Sequence, residues 1–123
     1  MKPKEIDLGF RIDEEKVMKL DLPAEEISIS EIFYNADIPY LEKEGTDDWN
    51  LSPNELIKNF KNEPTHADWV DKVDLKFPIA IYKFRDKWII IDGVHRFTKS
   101  LMFKNKTILV KKIPDELIET LKI

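Results

Sequence analysis

Cysteine is absent from all 123 residues of the chain. Its absence removes disulfides, thiolate chemistry and any Cys-based zinc site, and it fits a reducing compartment. Long apolar runs are missing too. The longest, Trp88 to Ile91, falls far short of the ~20 residues that a spanning helix needs. The N-terminus, Met1-Lys-Pro-Lys-Glu5 leading into Ile6-Asp-Leu-Gly-Phe10, has neither the apolar stretch nor the small-residue cleavage site of a secretory signal. A cytoplasmic protein with no membrane partner is therefore expected. A basic surplus is also lacking: the net charge is −4 and the pI about 5.3. A dedicated duplex-DNA binder carries the opposite balance, so DNA is the less favoured partner.

The residues that are present describe a globular chain. Apolar residues make up 42% and charged residues 36%, and seven Phe, three Trp and three Tyr argue against disorder. The length suits a single domain over residues 1–123. The charged residues 1–15 are expected to be a loose N-terminal arm.

Local patterns predict the elements. Val17-Met-Lys-Leu-Asp-Leu22 alternates apolar and polar residues and reads as a strand. Glu26 to Ser30 reads as a second, and residues 33–50 as a long loop. Ser52-Pro53-Asn54-Glu55 is a capping box with proline at the first helical position. Leu56, Ile57 and Phe60 follow on one face. Pro64 opens another helix, with Trp69, Val70 and Val73 at helical spacing. Pro78–Phe84 and Trp88–Ile91 are β-rich runs joined by a tight turn at Arg85-Asp86-Lys87. A helix from Val94 to Lys104, ended by a left-handed Asn105, leads to a strand at 107–113. Pro114 starts a last helix running through Leu121. The crossover helix predicts that strands 88–91 and 107–113 are parallel. The fold class is α/β (α+β), a small mixed β-sheet covered by helices.

The chemistry concentrates at Asp92-Gly93-Val94-His95-Arg96. A buried strand stops, glycine permits a sharp turn, and a helix begins. The first amides of a helix have no internal partners and sit at its positive end, which makes an anion site. Gly93 lets a ligand approach the backbone. Arg96 can fork onto phosphate oxygens. His95 can donate to phosphate or move a proton near neutral pH. Asp92 can hold Mg²⁺ or accept a hydroxyl proton, and Lys99, one turn on, adds positive charge. Each residue also has a plain structural reading: Gly93 as a turn, Asp92 as a helix cap, Arg96 as an ion-pair partner, His95 as a surface histidine. Their combination is an odd requirement for packing alone.

The segment Pro78 to Pro114, with Ile91-Asp-Gly-Val-His-Arg-Phe97 at its centre, resembles the core of the sulfiredoxin/ParB-like nucleotide-binding superfamily. That superfamily includes sulfiredoxins, the CTP-binding domain of ParB partition proteins and ADP-dependent free-serine kinases. Glu26-Ile-Ser-Ile-Ser-Glu-Ile32 is similar to the strand that opens ParB-like domains. The resemblance implies that Gly93, His95 and Arg96 contact nucleotide phosphates at this turn, which also contains Val94. Sulfiredoxins carry their catalytic cysteine where this chain has Val94, which excludes sulfinic-acid repair by that route. ParB proteins carry a metal-binding glutamate at the same position. The chain ends about ten residues after Ile113, where ParB continues into a helix-turn-helix, so partition is not expected. The kinase branch shares the Asp-Gly opening and the His-Arg pair.

The expected ligand is ATP or ADP with Mg²⁺, with a small-molecule phosphate acceptor or a protein as a further partner. Asp92 and His95 are the expected catalytic residues, and Asp92 is the expected metal ligand. The alternatives are a non-catalytic nucleotide- or protein-binding module of the same fold and a DNA-associated ParB-like accessory protein. His66, the only other histidine, is expected on the solvent face of its helix. Turned inward, it would be a second base.

Overall fold

Two residues set the hairpin at the centre of the fold. Arg85 and Asp86 both have positive φ, 51° and 64°, the signature of a two-residue type I′ turn whose twist matches its flanking strands. They join β2 (Ile79–Phe84) to β3 (Lys87–Asp92), which pair antiparallel from Phe84↔Lys87 onward. Lys87 thus belongs to the strand and not to the turn. The computed structural model describes all residues 1–123.

β4 (Thr107–Ile113) pairs parallel with β2, and β1 (Ala24–Ser28) pairs antiparallel with β4, so the mixed sheet runs β1-β4-β2-β3. The helices are α1 (Glu14–Met18), α2 (Pro53–Lys58), α3 (Pro64–Lys72), α4 (Val94–Met102) and α5 (Asp115–Ile118), with a long 3-10 segment over Ile29–Asp37 and short ones over Lys4–Ile6, Phe60–Asn62 and Glu119–Leu121. On one face of the sheet, Ile27, Ile79, Ile81, Ile90, Ile108 and Val110 bury against Phe97 of α4 and Ile29, Ile32 and Ala36. On the other face, Ala80 and Ile113 meet Val17, Ile118 and Leu121. No helix is long and apolar enough to cross a membrane.

The capping box holds: the Ser52 hydroxyl accepts from Glu55 N, and the Glu55 carboxylate accepts from Ser52 N. Other expectations are corrected. Val17–Leu22 is not a strand. Asp13 caps the helix α1 by accepting from Glu15 N at 3.0 Å, and Val17 is buried. The side-chain cap and the burial of Val17 with Ile118 and Leu121 outweigh a short alternation that finds no partner strand. The segment taken as an arm is docked, with Ile6 buried against Ile38 and Ile89. The predicted loop at 33–50 begins inside the 3-10 segment that ends at Asp37. Lys104, not Asn105, takes the left-handed conformation that ends α4, at φ 55°. Its N–H bonds Leu101 O and that of Asn105 bonds Ser100 O, the paired bonds of a Schellman motif.

The strand pairing also differs. β4 is parallel to β2, whereas β3 is antiparallel to β2, so β3 and β4 run in opposite directions. Both ends of α4 lie at the same end of the sheet, since Asp92 pairs with Ala80 and Val110 pairs with the neighbouring Ile79. Nine helical residues rise about 13–14 Å. That length spans the two strand spacings, ~9.6 Å, between β3 and β4. The helix therefore crosses over β2 instead of running back along β3.

Candidate functional site

The turn into α4 begins with an irregularity in β3. Ala80 pairs with Asp92 while its neighbour Ile81 pairs with Ile90, so Ile91 is the extra residue of a β-bulge. Bulges bend a strand and re-aim the residues that follow. Gly93 comes next, at φ 104° and ψ 28°. A Cβ there would lie 2.6 Å from Ile79 Cγ2. Glycine is thus required both by the left-handed backbone and by the closeness of β2.

Gly93 holds the N-cap position of α4, and no side chain bonds the first amides. The first intrahelical bond runs from Phe97 N to Gly93 O at 3.0 Å. The amides of Val94, His95 and Arg96 precede it, at the positive end of the helix. Asp92 therefore does not cap this helix. The half-buried Val94 side chain packs against two apolar clusters.

His95 meets His66 of α3. His66 Nδ1 lies 3.0 Å from His95 Nε2, and the rings stack with centroids 5.2 Å apart. His66 is buried, contrary to its expected surface position, and its Nε2 lies 2.6 Å from the Glu42 carbonyl oxygen. The Glu42 carboxylate is 3.8 Å from the same nitrogen. The ring of Trp69, an exposed residue, stacks on the outer side of His95 at 6.3 Å. Burial, reinforced by the neighbouring His66, pushes the His95 pKa down to about 4. His95 is therefore neutral at physiological pH. A clue to His66 was present in the sequence: it shares the i,i+4 face of α3 with buried Val70, whereas Trp69 lies on the outer face.

The cations at the turn are already engaged. Arg96 donates to Pro78 O at 3.1 Å, which ties α4 to the segment entering β2. It also lines a cleft of about 270 Å³ with Ser100, Lys106, Thr107 and Glu26. Lys99 donates to Asp71 O and Val73 O at 3.0 and 2.9 Å, closing the C-terminus of α3. Asp92 lies in a row with Ala80 and Lys111 across three strands. Burial lowers the pKa of the Lys111 ammonium, the Asp92 carboxylate opposes that shift, and Arg96 adds to it. Lys111 donates to Val17 O at 2.8 Å, at the end of α1.

The structure thus brings His95 to His66 and sets Asp92 in the field of Lys111, with no hydrogen bond between Asp92 and His95. No group of three or more His, Asp or Glu side chains is arranged to hold a metal ion. Asp92 is a single carboxylate, which suits Mg²⁺ only where phosphate oxygens and water complete the shell. No protein-family model matches the chain, and no curated protein or solved structure is significantly similar to it.

Proposed function

We propose that the β3–α4 turn binds the phosphates of a nucleotide, ATP or ADP with Mg²⁺, and that the domain transfers or hydrolyses a phosphoryl group. The observation that carries this reading is the α4 N-terminus itself. The bulge and the left-handed Gly93 start the helix abruptly, and no side chain caps its three leading amides. Phosphate is the ligand that such an end favours. The sulfiredoxin/ParB-like resemblance of residues 78–114 points the same way, and a four-stranded mixed sheet with a helix following the turn is compatible with that fold. In this reading the Val94, His95 and Arg96 amides and the Arg96 guanidinium hold phosphate. Asp92 holds Mg²⁺ against the phosphates or activates the acceptor, and His95 works as a neutral imidazole.

The non-catalytic module is the second reading. Two observations favour it: Val94 at the central position of the turn packs into the core, and Lys99 is spent on the α3 carbonyls. A thermal-shift series with ATP, ADP, CTP and GTP, with and without Mg²⁺, tests both. A ligand that binds only the native state raises Tm by mass action. Stabilisation by a nucleotide together with Mg²⁺-dependent turnover supports the enzyme. Stabilisation without turnover supports a nucleotide-binding module, and no stabilisation by any nucleotide overturns the enzyme and leaves the module only as a protein binder.

A further inference from the structure

The hydrogen bonds around His66 assign protons to both histidines. Glu42 O is a carbonyl and only accepts, so His66 Nε2 carries a proton. Neutral His66 then has an unprotonated Nδ1, which accepts from His95 Nε2–H across 3.0 Å. His95 is left with its lone pair on Nδ1. That nitrogen has no hydrogen-bond partner in the protein, and no buried side-chain nitrogen or oxygen lacks one. His95 Nδ1, on the first turn of α4, is therefore not fully buried.

We propose that His66 and His95 form a proton relay, with His66 the positioning residue, that takes a proton from a hydroxyl-bearing ligand bound at the α4 N-terminus. The substrate class is an O–H nucleophile, either the hydroxyl of a phosphate acceptor or water. The relay's role rests on the phosphate-binding reading of the turn. In the step, the ligand O–H bond breaks and an N–H bond forms at His95 Nδ1. The His95 Nε2–H bond breaks and an N–H bond forms at His66 Nδ1. The electron pair of the broken O–H bond stays on the ligand oxygen, ready to attack. The charge comes to rest on His66, whose Nε2–H still donates to Glu42 O with the Glu42 carboxylate 3.8 Å away.

This route has a physical motive. A proton kept on His95 has no carboxylate within 4 Å, whereas on His66, itself buried, the Glu42 carboxylate 3.8 Å from Nε2 offsets the cost of burying the charge. The ionisable groups on the elements packed here are Glu42 before α2, Glu55 and Lys58 on α2, Glu63, Asp68, Asp71 and Lys72 on or beside α3, and Arg96 and Lys99 on α4. Of these, Asp68 is paired with Lys72, and Lys99 with the α3 carbonyls. Glu63 accepts from Glu44 N. Glu42 is the one that reaches the histidine pair.

The test uses the full chain labelled with ¹⁵N-histidine, in long-range ¹H–¹⁵N spectra and a pH titration, together with Mg²⁺-ATP hydrolysis. Both rings should be Nε2–H tautomers at neutral pH, and His95 should stay neutral until the pH falls to about 4. His66→Gln keeps a carbonyl acceptor for His95 and an amide donor for Glu42 but cannot take up the proton. It should preserve the His95 tautomer while kcat falls by roughly 10²-fold with KM little changed. His66→Phe should lose the tautomer as well. A wild-type His95 with Nδ1 protonated, a His95 that titrates near its ordinary 6.5, or His66→Gln with unchanged kcat overturns the relay. Correct tautomers in a protein that binds no nucleotide overturn the phosphate reading, and with it the relay's catalytic role, while leaving the paired rings in place.

Discussion

The backbone of Gly93 lies against Ile79 so closely that a methyl group on it would sit 2.6 Å from Ile79 Cγ2 and 2.9 Å from Ile79 Cβ. Ile79 is 1% exposed, at the centre of the core that faces α4, and cannot move aside cheaply. Gly93→Ala should therefore cost stability twice, through left-handed strain and through overpacking, by about 2–4 kcal/mol in all. Urea unfolding measures it. A change below ~0.5 kcal/mol would mean that the turn is not held as described.

Arg96→Ala should weaken binding of the best nucleotide by ~1–3 kcal/mol, the scale of a charge-assisted contact. Loss of the bond to Pro78 O should also lower the melting temperature. Titration calorimetry at a temperature where the variant is folded separates the two effects. Unaltered affinity in a folded variant would remove Arg96 from the phosphate site.

Lys99 has a structural task in this fold. Lys99→Met should destabilise the protein by ~1–2 kcal/mol through the loss of two hydrogen bonds from a charged donor at the end of α3. Nucleotide affinity should change little. An affinity loss of tenfold or more, on the order of 1.4 kcal/mol, would return Lys99 to the phosphate contacts.

Asp92→Asn distinguishes the enzyme from the module. Helix capping no longer competes as an explanation, because Gly93 is the cap residue. In an Mg²⁺-dependent phosphotransferase the substitution should leave the fold intact and lower turnover by roughly 10²–10⁴-fold. In a binding module it should alter only stability, through the field that Asp92 exerts on Lys111.

The depressed pKa of His95 fixes the sign of one pH effect. The unfolded chain binds a proton on this residue as pH falls through about 6.5, whereas the folded protein does so only near 4. Between those values the unfolded state holds more protons, so stability falls as pH falls. The slope approaches ~1.4 kcal/mol per pH unit and flattens below the folded value. His95→Phe should reduce this loss between pH 6.5 and 4. An equal slope in wild type and variant would contradict the burial of His95.

The parts of the fold legible in the sequence are those set by neighbours along the chain. The Ser52 capping box, the tight turn expected at Arg85-Asp86-Lys87 and the glycine-broken junction at 92–94 each depend on a few adjacent residues, and each forms, with the turn one residue shorter than expected. Pairings decided at long range were not legible. The alternation at Val17–Leu22 suits a strand, but no strand edge meets it and Asp13 caps a helix there. Whether β4 pairs with β2 or β3 depends on which way α4 crosses the sheet, which its amphipathic pattern leaves undefined. At the site, the turn could be read directly. The pairing of His66 with His95 and the engagement of Lys99 could not, because each depends on a residue more than twenty positions away.

The central claim is that a nucleotide's phosphates sit on the leading amides of α4. It is tested most directly by titrating ATP and ADP, with Mg²⁺, into ¹⁵N-labelled protein and following the amides of Gly93, Val94, His95 and Arg96. The account predicts saturable shifts concentrated at these four residues, reproduced in part by inorganic pyrophosphate and lost in Arg96→Ala. Saturable binding that leaves these four amides unmoved, or no binding of any nucleotide at millimolar concentration, would contradict it.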